Sequence, residues 1–124
     1  MKLLLDTHAA LWWLSGDERF GQVAAGHLRS AANQVLLSAA VAWEVAIKRS
    51  LGKLDAPADL APTLVAAGAM PLPITLAHAS AVETLAWHHR DPFDRLLVAQ
   101  ATIEGAVLVS GDDALRPYGV PIVW

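Results

Sequence analysis

The sequence predicts an α/β protein in which a parallel sheet of about five short strands is flanked by helices. Short apolar segments alternate with longer segments that carry helix caps. The apolar segments lack a polar alternate face, which is typical of parallel strands buried on both sides. The chain has 124 residues and no internal repeat or linker, so we expect one domain over residues 1–124.

The first elements follow from apolar runs and cap residues. Residues 2–6 predict a strand, and residues 7–14 predict a helix that ends before a turn at Ser15-Gly16-Asp17. Asp17 is expected to cap a second helix that extends to about Ala32. Residues 34–37 predict the second strand.

Glycine and proline mark the middle of the chain. Ser38 is suited to cap a helix over residues 39–51, which Gly52 stops. A fourth helix follows Pro57 and ends at Gly68. Residues 70–74 then predict a third strand.

Caps and turns also delimit the last third of the chain. Thr75 is expected to cap a helix that runs to about His88. Asp91-Pro92 opens a helix that ends at Glu104, with proline at the favoured first position. Residues 106–110 predict a strand, residues 111–113 a turn with about one helical turn after it, and residues 120–124 the last strand.

Composition excludes several classes of protein. Hydrophobic residues make up 55% of the chain and charged residues 17%, which indicates a packed core and not a disordered tail. Mean hydropathy is +0.40, but no stretch approaches the about 18 apolar residues of a membrane span, and Asp6 interrupts the N-terminal apolar run. We therefore expect a cytoplasmic protein with no membrane partner. The absence of cysteine excludes disulfides and zinc-cysteine sites, and the net charge of -3 argues against an extensive basic surface.

Four acidic residues form the candidate site. Asp6 ends the first strand, Asp112 follows the strand over residues 106–110, and Asp94 lies in the first turn of a helix. Ligand sites in open α/β sheets lie beyond the carboxyl ends of the strands, so these three carboxylates are expected to converge. Glu44 interrupts an apolar helical segment, where an ionised side chain is unfavourable unless it is paired.

A cluster of carboxylates favours a bound cation. Two carboxylates about 4 Å apart repel each other by about 4 kcal/mol at an effective dielectric constant of about 20. Hard oxygen ligands prefer Mg²⁺ or Mn²⁺. Such an ion lowers the pKa of a bound water and stabilises charge on a phosphate, so the sequence predicts a metal-dependent phosphodiester hydrolase.

Each acid also has a structural interpretation, which the sequence leaves open. Asp6 is suited to cap the helix that follows it, and an acidic residue such as Asp94 is favoured at a helix N-terminus. Glu44 is spaced to pair with Lys48 at i, i+4.

Longer motifs resemble the PIN-domain family, in particular the VapC-like toxins of type II toxin-antitoxin systems. In chain order, the main motifs are Leu4-Leu5-Asp6-Thr7-His8, Trp43-Glu44-Val45-Ala46-Ile47-Lys48, Asp91-Pro92-Phe93-Asp94-Arg95-Leu96-Leu97 and Leu108-Val109-Ser110-Gly111-Asp112. Several long segments in one order make the resemblance specific, and it covers essentially the full chain.

The resemblance implies a PIN-type three-layer fold and a metal-dependent endoribonuclease that acts on single-stranded or structured RNA. It implies an Mg²⁺ or Mn²⁺ site formed by Asp6, Glu44, Asp94 and Asp112. It also implies three hydroxyl side chains that support this site, which are Thr7, Ser38 and Ser110. The implied partners are a cognate antitoxin, which covers the acidic site, and a second copy of the chain.

Two neighbouring acids leave the ligand set open. Ser110-Gly111-Asp112 stands where many relatives have threonine, a variable residue and aspartate, and Asp113 follows at once. We expect Asp113 to form the turn and Asp91 to cap a helix, although either would extend the site if it reached the metal.

Basic residues near the acids are candidate RNA contacts. Lys48 and Arg49 follow Glu44 on its helix, and Arg95 follows Asp94. The alternative for these cations is a solvated charged surface. The adjacent residues His88 and His89 lack a spaced third ligand, so we assign no metal to them.

The tryptophan pair predicts an interface, and the four acids favour an enzyme over an inactive module. Trp12 and Trp13 are adjacent on one short helix, so one of the two is expected to lie at an interface. The alternative function is a PIN-like RNA-binding or regulatory module without catalytic activity, and the presence of all four acids favours the enzyme.

Overall fold

The computed structural model describes residues 1–124 and contains one five-stranded parallel sheet with the strand order β3-β2-β1-β4-β5. The strands are β1 (Lys2–Leu5), β2 (Gln34–Ser38), β3 (Met70–Leu72), β4 (Val107–Val109) and β5 (Ile122–Val123). The helices are α1 (Thr7–Ser15), α2 (Gln22–Arg29), α3 (Ala39–Ser50), α4 (Leu60–Ala66), α5 (Leu76–Ala81) and α6 (Pro92–Glu104), with 3₁₀ segments at Val82–Thr84 and Asp113–Tyr118. The predicted α/β class with a parallel sheet is confirmed.

The central strand β1 carries the core of the sheet. Leu3, Leu4 and Leu5 are completely buried, which explains the uninterrupted apolar run at the start of the sequence. Leu4 lies opposite Leu36 of β2 on one side and Leu108 of β4 on the other. The helices are too short or too polar to span a bilayer.

The strand order reverses beside β1. The chain adds β2 and β3 on one side of β1 and then crosses over to add β4 and β5 on the other side. At the carboxyl ends of β1 and β4, the backbone N–H of Asp6 donates to the carbonyl of Val109 at 3.1 Å. Open α/β sheets bind ligands in the crevice at such a reversal, so the fold places the candidate site between β1 and β4.

The second helix begins later than predicted, at Gln22 and not after Asp17. The Asp17 carboxylate accepts hydrogen bonds from the backbone N–H and the guanidinium of Arg19, at 2.9 and 2.8 Å, and does not cap a helix. Gly21 occupies the cap position and lies against Trp124, where an added Cβ would sit 2.1 Å from the Trp124 carbonyl carbon. A contact with the last residue of the chain therefore determines where α2 begins, which local sequence signals do not reveal.

The helix that Thr75 caps ends at Ala81 and does not continue to about His88. The Thr75 hydroxyl accepts a backbone hydrogen bond as predicted, in a capping box. Beyond Ala81, the guanidinium of Arg95 donates hydrogen bonds to the carbonyls of Val82, Leu85 and Ala86. The chain forms only one 3₁₀ segment here, in which the Leu85 N–H donates to the Val82 carbonyl, and the α-helix does not continue.

Candidate metal centre

Asp6 lies at the junction of β1 and α1. Its Oδ1 accepts the backbone N–H of Ala9 at 2.8 Å, so Asp6 caps α1. The side chain is buried. Burial raises the pKa of Asp6, and hydrogen bonds from Ser110 and Ala9 oppose this shift. The Asp6 carboxylate therefore caps α1 and also lies at the predicted site.

Asp112 lies just beyond β4, on the other side of the crevice. Its Oδ1 accepts the backbone N–H of Ala114 at 2.9 Å, and its own N–H donates to the Ser110 hydroxyl at 3.1 Å. The negative charge of Asp112 contributes to the raised pKa of Asp6, so the two carboxylates are electrostatic neighbours. Asp113 instead has a side chain that is 88% exposed and pairs with Arg116 at 2.8 Å, as expected for a turn residue.

Asp94 faces these acids from the first turn of α6. Asp91 caps the helix by accepting the backbone N–H of Asp94 at 2.9 Å. Burial raises the pKa of Asp94 to about 6, and the negative charges of Asp91 and Asp6 add to the shift. A hydrogen bond from His89 opposes it. Burial is therefore the main cause of the raised pKa of Asp94, and the neighbouring negative charges add to it.

His89 corrects an expectation, because the sequence led us to assign no metal to it and the structure places it against Asp94 and Asp112. Its Nε2 lies 2.9 Å from Oδ2 of Asp94 and 3.7 Å from Oδ2 of Asp112. One ligand atom of each of these three residues lies within 4.8 Å of the others, which is close enough to hold one metal ion. The only sequence signal was its position five residues before Asp94, because its partner Asp112 lies far along the chain.

Glu44 lies on α3 and contacts α1 through Thr7. The side chain is buried, and its Oε1 accepts the Thr7 hydroxyl at 2.5 Å while Oε2 accepts Nζ of Lys48 at 2.6 Å. The i, i+4 pair that we expected as an alternative is therefore present. The Glu44 hydrogen bond raises the pKa of Lys48, and the charges of Asp91 and Asp94 add to this shift. Lys48 therefore connects Glu44 electrostatically to the acids at the start of α6.

Ser38 lies at the junction of β2 and α3. It is completely buried, and its hydroxyl accepts the backbone N–H of Ala40 at 3.0 Å and donates to Oε1 of Gln100 at 2.5 Å. It makes no hydrogen bond to any of the four acids. Ser38 thus caps α3, the helix that carries Glu44, and its hydrogen bond to Gln100 connects it to α6, the helix that carries Asp94.

Arg95 corrects the expectation of an RNA contact. Its side chain is buried, and its Nη1 donates to the Ala86 carbonyl at 2.8 Å and to the Tyr118 hydroxyl at 3.0 Å. The guanidinium also lies 3.8 Å from the ring centroid of Trp87. These internal contacts occupy the guanidinium, so Arg95 holds the segment before α6 and does not face a phosphate. Arg49, by contrast, is exposed.

A cleft of about 460 Å³ opens beside Asp6 and Asp112. Its walls are formed by His8, Trp12, Arg19 and Trp124. The cleft leads directly to two of the predicted ligands, so a substrate phosphate can approach the acids from this side.

The donor set fits a hard divalent cation. Asp6, Asp94 and Asp112 supply carboxylate oxygens, which are the ligands that Mg²⁺ and Mn²⁺ prefer. The His89 Nε2 lies 2.9 Å from Asp94 and 3.7 Å from Asp112, so His89 would hold the ion together with these two carboxylates. Such a site can bind a phosphate oxygen and activate water for phosphodiester hydrolysis.

Comparison with known proteins identifies a family and similar folds. The model of the PIN domain family matches residues 3–120. A chain in the crystal structure of VapBC2 from Rickettsia felis bound to a DNA fragment is 14% identical with a TM-score of 0.73, and the alignment covers 99% of this chain and 98% of that one. A chain in the structure of DNA-bound VapBC from Salmonella typhimurium is 14% identical with a TM-score of 0.72, and the alignment covers 99% of this chain and 97% of that one. A chain in the structure of FitAcB from Neisseria gonorrhoeae is 17% identical with a TM-score of 0.63, and the alignment covers 98% of this chain and 96% of that one. No curated protein matches the chain.

Proposed function

Because the chain belongs to the PIN domain family, we propose that it is an Mg²⁺- or Mn²⁺-dependent endoribonuclease and the toxin of a type II toxin-antitoxin module. The observation that carries the proposal is that Asp6 and Asp112 follow the neighbouring parallel strands β1 and β4 while Asp94 lies beside them in the first turn of α6, and burial raises the pKa of Asp6 and of Asp94. The structural likeness to VapBC from two bacteria supports the toxin assignment and a cognate antitoxin as partner.

In the proposed mechanism, Asp6, Asp94 and Asp112 hold the metal, with Glu44 beside them. The bound ion supplies a water of lowered pKa and stabilises negative charge on the phosphate. Thr7 keeps Glu44 oriented by donating to Oε1, and the Ser110 hydroxyl positions the backbone of Asp112. Lys48 is the cation nearest to Glu44, and its side chain is 42% exposed, so it contacts the incoming phosphate.

The proposal extends to the whole chain and its partners. We propose one catalytic domain over residues 1–124 that acts as a homodimer on single-stranded or structured RNA. Lys48 and the exposed Arg49 on α3 provide phosphate contacts at the edge of the site. The competing function is a PIN-like module that binds RNA without cleaving it, and an RNA cleavage assay distinguishes the two functions.

The test is RNA cleavage by purified protein freed of any partner, with single-stranded and hairpin RNAs in Mg²⁺ or Mn²⁺ and in EDTA. Asp94→Asn is expected to lower kcat by at least about 100-fold, beyond the 10- to 100-fold typical of residues that only support a metal ligand. Asp113→Asn is the matched control, because Asp113 is exposed and pairs with Arg116, and it is expected to keep full activity. Cleavage that survives both EDTA and Asp94→Asn would refute the metal-carboxylate mechanism. The absence of both cleavage and calorimetric Mn²⁺ binding would favour the inactive module.

A further inference from the structure

The cleft beside Asp6 has an aromatic and cationic wall that the proposed metal site does not use. The ring centroids of His8 and Trp12 are 5.3 Å apart, and those of Trp12 and Trp124 are 5.9 Å apart. The guanidinium carbon of Arg19 lies 4.5 Å from the Trp12 ring centroid. Two indoles and a guanidinium thus meet next to the carboxylates at which the reaction is proposed to occur.

Arg19 is held in place with one edge free. Asp17 accepts hydrogen bonds from Nε at 3.0 Å and from Nη2 at 2.8 Å, and Nη1 makes no hydrogen bond within the protein. The hydrogen bonds from Arg19 lower the pKa of Asp17 to about 2, so this carboxylate stays ionised and keeps the guanidinium oriented. An oriented guanidinium with a free N–H edge is suited to bind a phosphate.

The position of Trp124 is constrained by Gly21 and Gly111, whose backbones pack closely against it. An added Cβ at Gly111 would lie 2.7 Å from the Trp124 indole, and one at Gly21 would lie 2.1 Å from its carbonyl carbon. The indole therefore packs directly on the residue that precedes Asp112, which places a rigid aromatic edge at the border of the acidic site.

We propose that His8, Trp12, Arg19 and Trp124 form a nucleotide subsite, in which one unpaired base stacks on the indole wall and Arg19 binds an adjacent phosphate. The inference rests on the proposed nuclease function, since it describes how the same site holds its RNA. Stacking on aromatic rings requires an exposed base face and tolerates any base, so the subsite selects unpaired RNA and not a sequence. The cleft of about 460 Å³ lies within the range of about 300 to 1,000 Å³ typical of small-ligand pockets.

The same molecule offers a matched control pair. Trp13 follows Trp12 on α1, and the guanidinium carbon of Arg29 lies 6.0 Å from its ring centroid. The Trp13 ring packs on Phe20 with centroids 5.1 Å apart. Neither Trp13 nor Arg29 lines the acidic cleft. This second pair therefore has the same two side-chain types as Trp12 and Arg19 but lies outside the proposed subsite.

The test measures binding of two labelled oligomers of about 12 nucleotides to Asp94→Asn protein in Mg²⁺, so that the RNA stays intact. One oligomer is oligouridine, and the other is a ribose-phosphate chain of equal length and charge without bases. The variants Trp12→Leu and Arg19→Ala are compared with the controls Trp13→Leu and Arg29→Ala in the same background. The thermal midpoint of each variant shows that it is folded, and the exposed position of Arg19 makes its substitution safe for the fold.

We expect oligouridine to bind at least about fivefold more tightly than the abasic chain, which is the lower limit for stacking of one base. Trp12→Leu should remove most of this preference, whereas Arg19→Ala should weaken both oligomers by the same factor. Trp13→Leu and Arg29→Ala should change neither affinity by more than about twofold. Three results would overturn the subsite: no base preference, a preference that survives Trp12→Leu, or equal effects of the two tryptophan-arginine pairs. The aromatic wall would then be assigned to contact with a protein partner.

Cleavage by the unmodified protein, measured separately, distinguishes the two proposals. Cleavage without a base preference would support the nuclease and refute the subsite. A base preference that depends on Trp12, without cleavage of any RNA, would support the subsite and refute the nuclease.

Discussion

The acidic residues of the site have structural and chemical roles at the same time. Asp6 caps α1 with one carboxylate oxygen, and Asp112 caps the 3₁₀ segment that follows it with one oxygen. A cap uses a single acceptor, so the second oxygen of each carboxylate is available to a metal ion. The structural interpretation of these acids therefore does not compete with the catalytic one.

The pKa of Asp94 leads to a prediction about stability. Burial, followed by the charges of Asp91 and Asp6, raises this pKa from 3.8 to about 6 in the folded protein. The stabilising contribution of the protonated group is complete below about pH 3.8 and is lost as the pH rises through 6. Asp94→Asn should therefore raise the thermal midpoint by about 2 to 8 °C at about pH 7.5 in EDTA, and by less at about pH 4, as measured by circular dichroism.

Two comparisons make this stability prediction specific. Mg²⁺ should raise the midpoint of the unmodified protein more than that of Asp94→Asn, because a bound ion stabilises only the folded state. Asp113→Asn should leave the midpoint within about 2 °C at both pH values, because Asp113 is exposed. An equal gain for Asp94→Asn at both pH values would show that its charge is not the cause.

At the scale of helices and strands, local signals predicted some boundaries and tertiary contacts decided others. The helix from Pro92 to Glu104 has the predicted limits, because Asp91 caps it and Gly105 ends it with a positive φ of 63°. The predicted start of α2 and the predicted end of α5 were wrong, because residues distant in sequence contact both boundaries. Trp124 packs against Gly21 at the start of α2, and Arg95 binds carbonyls beyond the end of α5. The same reasoning explains His89, whose two acidic partners meet only in the folded sheet.

Arg95 gives a prediction for the segment between α5 and α6. Arg95→Met removes the donors for the carbonyls of Val82, Leu85 and Ala86. Leaving such groups without partners should lower the free energy of unfolding by about 2 to 4 kcal/mol in a urea titration. Amide hydrogen exchange should become faster over residues 82–90 than in β1, because Arg95 anchors that segment locally.

Arg90→Met is the matched control for Arg95→Met. Arg90 is exposed in the same segment, so its loss should change the free energy of unfolding by less than about 0.5 kcal/mol. If the two variants were equally stable, the buried guanidinium would not be the anchor of this segment.

At the scale of the whole molecule, strand order explains why acids far apart in sequence meet. The strand order reverses beside β1, so the residues that follow β1 and β4 share one crevice. The parallel pattern predicted this convergence for Asp6 and Asp112 before any contact was known. The aromatic wall was not predicted, because Trp12 and Trp124 lie near opposite ends of the chain and meet only through β5 and α1.

The charge of the whole molecule predicts a shallow salt dependence of RNA binding. The net charge is -3, and the cations proposed to contact phosphates are Arg19, Lys48 and Arg49. Three phosphate contacts to single-stranded RNA correspond to a slope of about -2.1 in a plot of log K against log salt concentration. Fluorescence anisotropy with oligouridine at constant Mg²⁺ should give this value, and Arg19→Ala should make it less negative by about 0.7, whereas Arg29→Ala should not change it. A slope steeper than about -4 would require a basic surface that one copy of the chain lacks, and would indicate that RNA binds across an assembly of copies.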